Sequence, residues 1–187
     1  MYEHTPTEIS EKVLELCQQI APGTRPQFIH ITPEPGCGPA DCFANVRRKV
    51  QREGGRLQYG WALWEWPKVF LEAEHHAVYE PPHGPPWRDL TPCLRGSRTR
   101  LFLPDDIATY DFENEGYLRE NRRLALSDDP LIEELFTASK RQVAFLNSLP
   151  GVNINVSSLR SFEKKEYQKN ERRLARATSD LAEKYGK

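Results

Sequence analysis

An α+β fold, with a cysteine-bearing helix leading into an antiparallel sheet and further helices at both ends, is predicted by three observations. Three runs rich in aromatic and β-branched residues follow one another, Arg56 to Trp66, Val69 to Glu80 and Trp87 to Pro92, separated by Pro67-Lys68 and by "PPHGPP". Directly before them, "CFANVRRKVQREGG" puts Phe43, Val46 and Val50 on one helical stripe and Arg47, Arg48, Lys49 and Arg52 on the other, with Gly54-Gly55 as the stop. After residue 130 the apolar positions recur at helical spacing instead.

The chain can carry such a fold. Its 187 residues suit one domain with a helical appendage, burying about 70 % of the unfolded surface. Apolar residues are 38 % and charged residues 28 %, but four Trp, seven Tyr and eight Phe argue against disorder. With a net charge of −1, no overall field recruits nucleic acid or an anionic membrane. There is no basic flank followed by an apolar run at the amino end and no stretch of about 18 apolar residues. A cytoplasmic protein without membrane or nucleic-acid partners is expected, with Cys17, Cys37, Cys42 and Cys93 outside disulfides.

In chain order, Thr5-Pro6-Thr7 offers caps for a helix in which Ile9, Val13, Leu16, Cys17 and Ile20 form the buried stripe, until Pro22-Gly23 ends it. Cys17 is then a small buried hydrophobe. "QFIHIT", Gln27 to Thr32, reads as a short strand, and "PEPGCGPAD" as a loop holding Cys37. Cys42 opens the next helix. The three strands follow as a meander, and Arg100 to Leu103 offer another. "IATYDFENEGYLRENRRLALS" has no clear pattern. Asp129 and Pro130 cap a helix running to about Leu149, with Leu131, Leu135, Phe136, Val143 and Leu146 as its stripe and Pro150-Gly151 as its stop. A last helix, Ser158 to about Lys184, is apolar only at its far end, at Leu174, Ala177, Leu181 and Tyr185. From Ser157 onward nine Lys/Arg face five Asp/Glu, so this segment is basic; its charged first half is expected to face solvent or a protein partner. The divisions expected are residues 1–104, a core with its N-terminal helix, and 105–187, a helical extension packing on it.

The chemistry lies in the order Cys42, His76, Asp89: a thiol at a helix start, an imidazole on the second strand after it and a carboxylate on the third. These are the nucleophile, base and orienter that thiol acyl transfer needs. A helix N-terminus and a nearby imidazolium both stabilise a thiolate. An imidazole accepts the thiol proton and later donates it only if its ring is steadied, the role assigned to Asp89. The unpaired N–H groups at the helix start suit an oxyanion, with Asn45 and Gln58 as candidate side-chain donors. Trp61 and Trp64 are candidates for substrate binding, and with Trp66, Tyr59 and Tyr79 they could line an aromatic groove for a protein partner. Adjacent strand residues face opposite ways, so His75 is expected to look away from the sulfur.

This order, with 34 residues from Cys42 to His76 and 13 from His76 to Asp89, resembles the transglutaminase-like branch of papain-like cysteine enzymes. "HHAVYE" is similar to its histidine strand and "WRDLTP" to its Asp-x-Thr strand; the likeness covers Pro39 to Pro92. Phe43 stands where transglutaminases usually have Trp, and "GPADC" replaces the Arg-Gly-Gly-x-Cys of arylamine acetyltransferases. The resemblance implies a papain-like, transglutaminase-like core and cysteine-dependent acyl transfer or hydrolysis on a peptide, amide or acyl substrate, with no cofactor. Two alternatives stand beside it. Cys37, Cys42, His75 or His76, and Cys93 offer four donors for a structural zinc, and a catalytically silent module of the same fold would use the aromatic groove to bind a protein.

Overall fold

The computed structural model describes residues 4–93, 96–114, 117–149 and 156–186. In chain order the elements are α1 (Glu11–Ile20), β1 (Gln27–Ile31), α2 (Cys42–Glu53), β2 (Arg56–Trp66), β3 (Phe70–Glu80), β4 (Arg88–Asp89), β5 (Thr99–Pro104), β6 (Arg122–Ala125), α3 (Pro130–Asn147) and α4 (Ser161–Tyr185). The protein is therefore α+β.

The sheet closes on itself. β2 and β3 pair antiparallel from Arg56↔Glu80 to Trp66↔Phe70; the other edge of β2 pairs with β5, β5 with β1, β1 with β4 and β4 back to β3. The result is a five-stranded, barrel-like sheet with β6 added on β3. The expected meander is corrected at its third strand: β4 is two residues long, meets β3 only at Tyr79↔Arg88, and runs parallel to β1 through His30↔Arg88 and Ile31↔Asp89. The reason is local. Two residues are too few to extend a meander, and the Asp89 carbonyl is taken by the Thr32 amide of the β1 side at 2.7 Å. The long β2–β3 ribbon needs a close approach at Gly60, where a Cβ would fall 2.2 Å from the Leu103 carbonyl oxygen and 2.6 Å from Phe102 Cζ.

Alternation along the strands sends one face inward, where Ile29, Val78 and Phe102 form a small core. The other face is covered by helices. Val13, Leu16 and Cys17 of α1 pack on Trp61, Leu63, Leu71 and Ala73, and Val46 of α2 on Ala77, Tyr79 and Leu90. Trp66, Val69 and Phe70 at the β2–β3 turn meet Ile132 and Leu135 of α3 with Ala177 and Leu181 of α4. Each fully buried aliphatic side chain of this kind contributes about 2 kcal/mol.

Several local expectations change. α1 begins at Glu11, capped by the Ser10 hydroxyl, which accepts from the Val13 amide at 3.3 Å, while His4 pairs with Glu65 as an isolated bridge. Residues 105–187 are not helical throughout: β6 lies on Phe70–Ala73 of β3. Asp129 and Pro130 open α3 as expected; its Pro150-Gly151 stop lies outside the described residues. The charged first half of α4 is only partly solvated, since Glu163 and Asn170 are buried and Gln142 of α3 donates to Glu171 at 2.8 Å. Among the described residues no helix is long and apolar enough to cross a membrane.

Candidate active site

Cys42 is the first residue of α2, reached through a loop that Asn45 ties down. The Asn45 amide donates to the Gly38 carbonyl at 2.8 Å and to the Thr91 hydroxyl at 3.3 Å; its oxygen accepts from the Gly38 amide at 3.1 Å and from Arg48 at 2.6 Å. Asp41, the residue before Cys42, makes no side-chain cap and instead approaches Arg48 at 3.6 Å. The first-turn N–H groups beside the sulfur are thus left without a carboxylate over them.

β3 delivers His76. Beyond Ala73 its outer edge is no longer paired to β6, and β4 joins only at Tyr79. In this interval the imidazole, only 5 % exposed, stands between two groups. On one side is Cys42, within side-chain hydrogen-bonding reach. On the other is Asp89, whose Oδ1 is 3.2 Å from His76 Nε2. The distance makes an ion pair, while the angle leaves Nε2 without an aligned acceptor among the described residues. Burial alone would suppress the imidazolium, but the Asp89 charge, then that of Cys42, outweighs it and raises the His76 pKa from its ordinary 6.5.

Asp89 is fully buried and held from three directions. Besides His76, the Thr91 amide donates to Oδ1 at 2.9 Å and Arg100 Nε donates to Oδ2. Burial pushes its carboxyl upward; the nearby His76 charge, then Arg100 and the Thr91 amide, overcome this and hold it below the usual carboxylate range. Arg100, itself 4 % exposed, lies with its guanidinium 4.9 Å from the centre of a Trp64 ring.

Cys42 and His76 border a cleft of about 720 Å³, with Asp89 buried behind the imidazole. Trp64, Glu74 and Arg100 line its inner side, and Tyr110 belongs to the wall opposite. That wall is the segment after β5: Tyr110 stacks on Phe43 with centroids 3.9 Å apart, Arg119 donates to the Thr109 carbonyl at 2.9 Å, and Asn147 of α3 clamps both backbone groups of Leu118 at 2.8 and 2.9 Å.

The other sequence candidates fall elsewhere. The Asn45 amide is committed to Gly38 and Thr91 and does not line the cleft. Gln58 donates to the Tyr59 carbonyl at 3.0 Å and to Asp106 at 2.9 Å and does not line the cleft. Trp61 donates to Asp105 at 2.9 Å and lines a second cavity of about 550 Å³. Only Trp64 of these four borders the cleft. His75 points into the aromatic cluster, 4.8 Å from the Phe43 ring and 5.5 Å from that of Trp61, and its Nε2–H donates to the Ala108 carbonyl at 2.6 Å. Burial lowers its pKa to about 4, so it is a neutral structural ring. The residues that sequence reading missed are Arg100, Glu74 and the wall at 109–114 and 117–121.

All four cysteines are free thiols. Cys37, Cys42, His75 or His76, and Cys93 form no group of donors able to hold a metal among the described residues. No protein-family model, curated protein or solved structure matches this chain.

Proposed function

We propose that this protein is a cysteine acyl-transfer enzyme or hydrolase of the transglutaminase-like kind, using Cys42, His76 and Asp89 on an amide, ester or thioester. One observation carries the reading: a buried imidazole lies close to a helix-start sulfur and 3.2 Å from an arginine-braced carboxylate, at the edge of a cleft.

The chemistry starts from a thiolate beside the His76 imidazolium. Sγ bonds to the carbonyl carbon, and the oxygen takes up the electron pair, facing the open N–H groups of the α2 first turn. As the tetrahedral species collapses, His76 gives its proton to the departing amine, alcohol or thiol, leaving a thioester on Cys42. Water or an amine then enters; His76 takes its proton, the C–S bond breaks, and acid or transferred acyl product leaves with the thiolate restored. Asp89 stays ionised throughout and stabilises the imidazolium.

The test is site-resolved alkylation by iodoacetamide at neutral pH, read by mass spectrometry. Cys37 and Cys93 are more exposed than Cys42, whereas burial pushes the Cys17 thiol to about 12. Exposure alone would make Cys42 slower than Cys37 and Cys93. The proposal requires it to be faster by at least about tenfold, with the advantage lost in His76→Ala. Labelling that simply follows exposure would end the acyl-transfer reading.

A further inference from the structure

Two residues before His76, on the same face of β3, stands Glu74. Its side chain is exposed, borders the cleft, and is fixed at one oxygen: Trp64 Nε1 donates to Oε2 at 3.0 Å. Trp64 is in turn held under Arg100, which is committed to Asp89. Glu74 therefore has a set orientation, while its Oε1 has no hydrogen-bond partner and the carboxylate no ion-pair partner among the described residues. The other charged groups around the cleft are Arg100, Arg119, Asp111 and the two histidines. Arg100 is satisfied by Asp89, Arg119 donates to the Thr109 carbonyl, and His75 is neutral.

From this we infer that Glu74 is the specificity residue of the cleft, binding a protonated nitrogen, ammonium or guanidinium, on the acyl donor. The inference rests on the acyl-transfer reading and names its substrate class. Residues two apart on a strand are about 6.5–7 Å apart, so the cation sits a few bonds from the carbonyl that meets Cys42. A carboxylate immobilised in advance binds a cation without first losing side-chain freedom, and in a partly enclosed cleft the attraction is less screened than at an open surface.

The experiment compares modification of Cys42 in the full chain by three methanethiosulfonates of similar size, 2-aminoethyl (cationic), ethyl (neutral) and 2-sulfonatoethyl (anionic), with each site followed by mass spectrometry. In the native protein the cationic-to-neutral rate ratio at Cys42 should exceed that at Cys37, and in Glu74→Gln it should fall about 5- to 10-fold. Glutamine keeps an oxygen for Trp64 and removes only the charge; an unchanged unfolding temperature verifies this. The fall should shrink at high salt. An unchanged ratio in Glu74→Gln, a preference for the anionic reagent, or a ratio that drops in Asp111→Asn instead overturns the assignment while leaving Cys42 reactive. Modification of Cys42 no faster than Cys37 by any reagent is a different result: it removes the acyl-transfer reading and the inference with it.

Discussion

Asp89 is where the largest forces at a single residue balance. A fully buried carboxylate is costly unless paired, and here an imidazolium and a guanidinium share it. Replacing Asp89 by Asn leaves Arg100 buried with its charge uncompensated and should destabilise the fold by about 3–5 kcal/mol in urea unfolding; a loss below 1 kcal/mol would mean that the ion pairs do not form. The pair also sets a pH dependence. His76 has a folded pKa above its unfolded value of 6.5, so its contribution is complete below that pH and is lost as pH rises through the folded pKa. Asp89 is lowered from 3.8, so its contribution is present above that value and is lost as pH falls through the folded pKa. The stability gap between the native protein and His76→Gln should therefore be widest near pH 5–6 and narrow on the alkaline side. A gap constant from pH 5 to 10 would show that the imidazole carries no extra proton when folded. At this scale the nearness of His76 to Asp89 could be anticipated because the chemistry and spacing of the candidates Cys42, His76 and Asp89 are written along the chain. Arg100 was not: its role depends on the pairing Ile29↔Arg100, which turns it inward, and no local pattern states that register.

Among the elements, the β2–β3 ribbon joins the sequence to the site. Its strands were expected at 56–66 and 69–80 and run Arg56–Trp66 and Phe70–Glu80, because long aromatic runs broken by Pro67 admit little else. β4 and β6 were not readable in that way. A two-residue strand leaves no period to detect, and β6 is the polar-looking "RRLA", whose pairing with β3 only the closed sheet supplies. The ribbon makes a prediction at Gly60, which faces His76 in register and lies beneath Phe102. A methyl group here meets the Leu103 backbone oxygen, which cannot turn aside as a side-chain tip can. Gly60→Ala should cost at least about 1–3 kcal/mol and, by shifting Phe102 against the imidazole, slow Cys42 alkylation. A neutral effect on both would mean that β5 does not sit so close to β2.

For the molecule as a whole, the closed sheet makes residues distant in sequence share one cleft. α2 brings the thiol, β3 the imidazole, β5 the arginine and the segment before β6 the opposite wall, while β4 sets the carboxylate behind the imidazole. Composition and periodicity led correctly to an α+β chain, but a sequence read along its length favours neighbours, and the parallel β1–β4 pairing that closes the sheet joins segments nearly sixty residues apart. The α3–α4 pair contributes differently. It covers Trp66, Val69 and Phe70 at the far end of β3 and is locked there by Lys184 on Asp129 at 2.7 Å and by the Tyr185 hydroxyl donating to Asp129 at 2.8 Å. Stability and chemistry are thus separable. Leu181, fully buried in that interface, should cost about 2–5 kcal/mol when cut to Ala. Well below the unfolding transition, the Leu181→Ala protein should still alkylate at Cys42 at the native rate, because none of the groups holding the imidazole or the sulfur lies on α4. If labelling of Cys42 falls several-fold while circular dichroism shows a fully folded protein, the helical pair would be part of the site's support rather than a cover for the opposite end of the sheet.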